Sequence, residues 1–335
     1  MSKQYNVGVV GATGVVGSEI IKILESRQFP VGQLRLFASE RSLGHSVEFH
    51  GQHIDVEVLA QDQLTDLDIL LFSAGSDISK EYCPIAAEKG ITCIDNTSYF
   101  RMDPSVPLVV PEVNASALAN HQHIIANPNC STAQLMVVLK PIMDAVGLDR
   151  VVVSTYQSVS GAGSAAIKEL EHQSRANLSG HELKPSVFQA PIAFNLIPQI
   201  DVFTDNGYTK EEMKMINETK KILGDDSIQM TATAVRVPVF VSHSESVNIQ
   251  TKSPISADEV RSLLNDAPGV CVMDNPELSI YPTPRDSAGS DDVSVGRIRS
   301  DVSHPCGIDL WCVGDNLRKG AALNAVQIAE ALIAG

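Results

Sequence analysis

Cys130 is the residue with the most reactive setting in the chain. It lies in Asn127-Pro128-Asn129-Cys130-Ser131-Thr132, after the apolar run Ile124 to Ala126 and before a helical pattern from Ser131 to Val146. This spacing predicts a thiol at or near a helix N-terminus, where free N–H groups and the helix dipole favour thiolate. Thiolate is the form that attacks carbonyls and acyl phosphates. Cys83, Cys93, Cys271 and Cys312 each fall inside an apolar run or helix and are expected to be buried structural thiols. With no CxxC pair among the six cysteines, neither a zinc site nor a disulfide framework is indicated, and a reducing compartment fits best. His243 has a side chain able to give and take a proton near neutrality. Taken alone, a histidine followed by Ser-Glu-Ser also reads as a plain loop residue. His45, His50, His53, His121, His123, His172, His181 and His304 show no ligand spacing, so no metal is expected.

A second constellation opens the chain. Val7-Gly8-Val9-Val10-Gly11-Ala12-Thr13-Gly14-Val15-Val16-Gly17 sets three glycines at a strand-to-helix turn. Gly11 permits the tight turn, Gly14 lets backbone N–H groups approach a pyrophosphate, and Gly17 lets helix and strand pack closely. Thr13, Val15 and Val16 belong to the same expected cofactor contact. At the end of the second strand, where an acidic residue would take the ribose hydroxyls of NAD, the run is Phe37-Ala38-Ser39-Glu40-Arg41-Ser42. With Ser39 at the acidic position and Arg41 and Ser42 ready for a 2′-phosphate, NADP(H) is favoured over NAD. Glu40 stands against this should the strand end one residue later.

These residues need elements to hold them. Val7 to Val10, Leu34 to Ala38, Asp68 to Phe72, Thr92 to Asp95 and Ile124 to Ala126 read as strands. They alternate with helices from about Val15 to Ser26 and Ile78 to Lys89. This is the α/β pattern of a Rossmann-type dinucleotide-binding domain with a parallel sheet. Ser46 to Val58, around His50-Gly51, reads as an edge hairpin. Beyond Cys130 the long helix leads to Val151 to Tyr156 and then into polar connections. Strands Met230 to Val237, Ser246 to Thr251, Val293 to Arg299 and Ile308 to Val313 follow in runs, predicting an α+β domain with a mainly antiparallel sheet. A helix from Gly320 to Ile333 is expected to return to the first domain. The expected division is 1–129 with 315–335, and 130–314.

Lys and Arg total 25 against 40 Asp and Glu, a net charge of −15, so nucleic acid and anionic membrane surfaces are excluded as partners. A small anionic substrate is not, because a pocket can concentrate a few cations locally. No basic, apolar and cleavable leader is evident in Met1-Ser2-Lys3-Gln4-Tyr5-Asn6, and no apolar run reaches the ~20 residues of a membrane helix. A soluble cytoplasmic protein is expected.

GATGVVG near the start, NPNCST, Gln157-Ser158-Val159-Ser160-Gly161-Ala162-Gly163, Arg236-Val237-Pro238-Val239 with His243 beyond it, and Gly314 to Ala322 together resemble the aspartate-β-semialdehyde dehydrogenase family over essentially the whole chain. The resemblance implies Cys130 as nucleophile, His243 as acid/base and Gln157 as a substrate-positioning residue. It implies Arg236 for the substrate α-carboxylate, Arg101 and Lys214 as a phosphate-binding pair, Glu211 for the amino group, and Asn129 among the substrate contacts. Ser160, Gly161 and Asn316 match cofactor contacts. Read from the sequence alone, Lys214 and Glu211 lie on a charged amphipathic helix whose default is a solvated face. Arg101 follows an aromatic pair, and stacking on that pair is its other reading.

The implied reaction is NADP-dependent conversion of aspartyl phosphate to aspartate semialdehyde and phosphate, by a homodimer or homotetramer built through the second, catalytic and dimerisation domain, the first being the NADP-binding domain. An acyl phosphate losing phosphate to sulfur and a thioester reduced by hydride call for these residue types. N-acetyl-γ-glutamyl-phosphate reductase shares the architecture, but a free amine calls for a carboxylate such as Glu211. A nucleotide sensor without chemistry would have no use for Cys130, Gln157, Arg236 and His243 together.

Overall fold

Uninterrupted apolar runs become central strands because both of their faces are covered. The computed structural model describes residues 3–334, so the expectations touching Met1, Ser2 and Gly335 lie outside the described residues. Two compact units divide the chain. One ends at Asn129 and resumes at Ala321; the other is Cys130–Gly320.

In the first unit, β1 (Tyr5–Val10), α1 (Val15–Ser26), β2 (Val31–Ala38), β3 (Ser46–Phe49), β4 (Gln52–Val58), β5 (Ile69–Phe72), α2 (Ser76–Glu88), β6 (Thr92–Asp95), the short α3 (Pro111–Asn114) and β7 (Ile124–Ala126) follow one another. The sheet order is β3-β4-β2-β1-β5-β6-β7. Every pair is parallel except the β3–β4 hairpin, which lies at the edge as the His50-Gly51 turn predicts. Strand order reverses beside β1, so the glycine turn after it opens at the switch point where such sheets bind ligands.

That turn is tightly made. Gly11 has φ +83° and its N–H donates to the Phe37 carbonyl at 2.8 Å. A Cβ on Gly17 would overlap the Gly11 carbonyl oxygen.

The second unit contains α4 (Cys130–Val146), β8 (Leu148–Gln157), α5 (Ser164–Leu178), α6 (Lys210–Leu223), β9 (Gln229–Arg236), β10 (His243–Thr251), α7 (Ala257–Asn265), β11 (Val270–Val272), α8 (Pro284–Ser287), β12 (Val293–Ser300) and β13 (Gly307–Gly314). Its sheet runs β11-β12-β13-β10-β8-β9. The three inner pairings are antiparallel and the two outer ones parallel, in line with a mainly antiparallel sheet. α4 is buried from Ser131 through Leu139 and packs on β8, β10, β12 and β13.

Three expectations are corrected. Cys271 is exposed, not buried, because β11 is a three-residue edge strand whose middle side chain points outward. The stretch read as a polar connection after Gly163 contains α5, a helix whose buried face includes Glu169 and Gln173 beside Ala166 and Leu170. Glu169 accepts the Ser186 N–H at 3.1 Å, a polar partnership that masks the helix's apolar stripe. The return to the first unit falls at Ala321 instead of Asp315. Before it, Asp315 Oδ2 accepts the Gly289 N–H at 2.7 Å and Asn316 bonds to residues of the second unit. The closing α9 (Leu323–Ala334) joins the first unit's core with Ile20, Ile23 and Leu24.

Gly17→Ala should lower stability by about 1–3 kcal/mol, since overpacking against fixed backbone exceeds the roughly 1 kcal/mol that alanine adds to a helix interior. Thermal unfolding checks this; an unchanged or raised midpoint would contradict it.

Candidate active site

The register of the second sheet brings the polar side chains together. β8 and β9 run parallel with Gln157 paired to Arg236, so both finish at one end of the sheet. β10 runs antiparallel to β8 with Ser244 opposite Tyr156, so His243 begins its strand beside Gln157. His243 is also opposite Gly314 of β13, and the chain turns there into Asp315-Asn316. Cys130 begins α4, which lies against the same strands.

Each group is held by named bonds. Arg236 is 5% exposed; its Nη1 donates to the Ser158 carbonyl at 2.6 Å, and its guanidinium lies 5.8 Å from the Phe188 ring centre. Burial lowers its pKa, while the negative charges of Glu211 and Cys130 raise it. Burial prevails, and the net direction for Arg236 is downward. Gln157 Nε2 donates to Glu211 Oε1 at 3.2 Å and to Thr155 Oγ1 at 3.3 Å.

Glu211 is buried in the first turn of α6, where Thr209 makes a capping box with Glu212. Lys214 donates to Glu211 Oε2 at 3.2 Å and to Asp201 Oδ2 at 2.9 Å. Burial opposes the Lys214 charge, but the two carboxylates prevail and its pKa is raised. These two residues are thus an internal ion pair and not a solvated face. Asp201, which the sequence reading does not name, carries no motif that would have found it.

His243 is fully buried, with Nδ1 3.1 Å from the Ser158 N–H and its Nε2 without a partner among the described residues. The preceding Ser242 has φ +77°, a strained value for a non-glycine residue. Its N–H donates to Asn316 Oδ1 at 2.9 Å, and that oxygen also accepts from Ser158 and Ser160 hydroxyls at 3.0 and 3.1 Å. Asn316 thereby fixes the turn that aims the imidazole. Gly161 lies over it: a Cβ there would stand 3.1 Å from Arg236 Nη1 and 3.2 Å from His243 Nε2.

In the first unit, Gly11, Thr13 and Gly14 line a cavity of about 440 Å³ with Ser39, Glu40 and Arg41. Thr13 Oγ1 and Ser42 Oγ are 3.0 Å apart. Val15 and Val16 begin α1 and do not line that cavity, whereas Leu59, Ser73, Ile78 and Tyr82, none of them expected at the cofactor from the sequence, do. The cavity suits a dinucleotide's adenosine end, with glycine N–H groups on one side and a guanidinium near the second strand's end. Glu40 also faces it, beside Arg41. Arg101 is buried, donating from Nε to the Asn127 carbonyl at 2.9 Å and from Nη2 to the Asn96 carbonyl at 2.7 Å. Asn129 is buried immediately before Cys130. Among the described residues no group of three or more His, Cys, Asp or Glu is placed to hold a metal ion.

Residues 6–121 match the family model described as semialdehyde dehydrogenase, NAD binding domain, and residues 139–319 match semialdehyde dehydrogenase, dimerisation domain. Aspartate-semialdehyde dehydrogenase of Shewanella sp. (strain DB6705) is 53% identical over 99% of both chains. The crystal structure of aspartate semialdehyde dehydrogenase II complexed with ASA from Vibrio cholerae superposes with a TM-score of 0.97 at 51% identity, over 99% of each chain. That of aspartate semialdehyde dehydrogenase with NADP from Candida albicans gives 0.76 at 26% identity, over 98% of each.

Beneath the site, Gln134 of α4 donates to the His243 carbonyl at 3.3 Å, and Glu245 lies fully buried beside Cys312, whose Sγ is 3.5 Å from Oε2. Burial pushes the Glu245 carboxyl up to about 8, against the hydrogen bonds of Cys312 and Gln134. The folded chain thus keeps a proton that the unfolded chain releases above the ordinary carboxylate range, so stability falls as pH rises towards 8. Glu245→Gln should remove this slope, up to about 1.4 kcal/mol per pH unit. Urea unfolding of both proteins at successive pH values checks it, and parallel curves would contradict it.

Proposed function

This chain belongs to the aspartate-semialdehyde dehydrogenase family, and on that premise we propose that it reduces L-aspartyl-4-phosphate to L-aspartate-4-semialdehyde, with NADPH as reductant and release of phosphate. The reaction is reversible and serves lysine, threonine and methionine synthesis. The carrying observation is the convergence of Gln157, Arg236 and His243 at one end of the sheet on which α4, headed by Cys130, packs.

The Cys130 thiolate attacks the acyl carbon, expels phosphate and becomes a thioester; reduction gives the aldehyde and frees the sulfur. The helix N-terminus and Arg236 both favour the negative sulfur. Arg236 holds the substrate α-carboxylate, for which a guanidinium's paired donors are suited. Glu211 receives the free amino group, a preference that supports aspartate over an acylated amine. Lys214 and Arg101 are the phosphate-binding pair, and Asn129 and Gln157 position the substrate. His243 is the acid/base and relays the proton of the thiohemiacetal oxygen.

NADP(H) is held by Gly11, Thr13, Gly14, Val15 and Val16 at the pyrophosphate, by Ser39, Arg41 and Ser42 at the 2′-phosphate, and by Ser160, Gly161 and Asn316 at the other end. When bound, it supplies the hydride. The Vibrio cholerae and Candida albicans proteins, carrying ASA and NADP, support these assignments. The second unit serves as catalytic and dimerisation domain and the first as NADP-binding domain; the assembly is a homodimer, and the enzyme works in the cytoplasm. Among the described residues no helix is long and apolar enough to cross a membrane.

The test is phosphate-dependent reduction of NADP⁺ by aspartate semialdehyde. Cys130→Ala should cost ~10³-fold or more in rate. Turnover surviving in that variant, or wild-type activity only on acetylated glutamate semialdehyde, would overturn the route or the substrate respectively. Arg236→Lys should raise KM about 10–100-fold, the loss of one or two charge-assisted bonds; steady-state kinetics with an unaltered KM would contradict the carboxylate role.

A further inference from the structure

We infer that Asn96, Asn127 and Asn324 are positioning residues for Arg101, a chain of carboxamides that fixes the guanidinium and through it the protein's affinity for phosphate. The inference rests on the phosphate role of Arg101 proposed above. Its basis is the pair of carbonyls that hold the side chain. Arg101 Nε donates to the Asn127 carbonyl at 2.9 Å and Nη2 to the Asn96 carbonyl at 2.7 Å. These two donors share one edge of the guanidinium, so two acceptors at a set spacing fix both its place and its plane. β6 and β7 run parallel with Asp95 beside Ala126, which puts Asn96 and Asn127 side by side just past the carboxyl ends of both strands. In an open parallel sheet that is where ligands bind.

The side chains of the same two residues set that spacing. Main-chain pairing of the strands reaches as far as the Asn127 N–H, which donates to the Asp95 carbonyl at 2.8 Å. Asn127 Nδ2 then donates to Asn96 Oδ1 at 2.9 Å and adds one more rung. Asn96 Nδ2 donates in turn to the Phe72 carbonyl of β5 at 2.8 Å. From the other side, Asn324 Nδ2 of α9 donates to Asn127 Oδ1 at 2.7 Å and to the Val109 carbonyl at 2.9 Å. A carboxamide suits each step because it donates and accepts at once, where a carboxylate could not pass the chain on. Asp95 ties down the start of the loop that leads to Arg101, its carboxylate accepting the Ser79 and Thr97 hydroxyls at 2.8 Å and the Thr97 N–H at 2.9 Å.

Asn324 is fully buried and acts on the guanidinium only through Asn127, which is itself 1% exposed. A guanidinium able to tilt would keep its charge but lose alignment with phosphate oxygens, whose recognition depends on donors held in direction. Leucine matches asparagine closely in size, so at position 324 it would remove the donor and little else. The Asn127 carboxamide would then lose the bond that orients it, and the rung to Asn96 would loosen with it. Loss at the far end of the chain is thus felt at the carbonyl pair.

The experiment is steady-state kinetics of semialdehyde oxidation with NADP⁺ and varied inorganic phosphate, for wild type, Asn324→Leu and Asn96→Ser. Asn96 is half-buried, so its variant decides the matter should Asn324→Leu fail to fold. The KM for phosphate should rise about tenfold in each, the scale of one charge-assisted hydrogen bond, while the KM for the semialdehyde and kcat at saturating phosphate stay within about threefold. In an Arg101→Lys background, where no guanidinium remains to be aligned, Asn324→Leu should raise the phosphate KM by less than about twofold. An unchanged phosphate KM in a folded variant, an equal rise in both KM values, or the full effect persisting in the Arg101→Lys background would overturn the proposal. Wild-type turnover that does not depend on phosphate would overturn the reading on which it rests, and that shows in the wild-type curve alone.

Discussion

Arg236 is a guanidinium almost wholly removed from water, and a buried cation is tolerated only where fixed partners replace its hydration. The second unit supplies them from three directions. The Ser158 carbonyl follows β8, Glu211 opens α6, and the Phe188 ring lies within cation–π range. Each partner is itself a feature of the site. Meeting the needs of one charge thereby sets the turn after β8, the entry into α6 and the spacing between strands.

The same economy governs His243. Its direction depends on Ser242 holding a left-handed backbone, which is costly for a residue with a side chain. Asn316 stabilises that conformation, using one carbonyl oxygen to bind both the Ser242 amide and the serines of the turn after β8. Strand register then does the rest. Because β8, β9, β10 and β13 all meet one end of the sheet within one residue of each other, no long side chain has to reach for its place.

Much of this was legible in the sequence where local pattern and tertiary role agree. Gly11, Gly14 and Gly17 mark a turn because backbone geometry there admits little else, and the apolar runs around them became the parallel strands expected. The placement of Cys130 at the head of α4 follows from the same kind of local signal. Roles created by distant partners were not legible. Glu211 and Lys214 carry the pattern of an exposed helix face, yet Gln157, far away in sequence, bonds to a buried Glu211, and Lys214 pairs with Glu211 and Asp201. α5 was hidden because Glu169 and Gln173 are buried through hydrogen bonds, a use of polar residues that periodicity counts as exposure. Cys271 was misplaced because an edge strand's outward positions look no different in sequence from a central strand's.

The account turns on a covalent bond to Cys130, and mass spectrometry of the intact chain after exposure to aspartyl phosphate without NADPH tests it most directly. The account predicts a mass gain of one aspartyl group, located on the Cys130 peptide, labile to hydroxylamine and discharged as aldehyde when NADPH is added. A protein that turns over substrate yet forms no such adduct, or forms it on another residue, would contradict it.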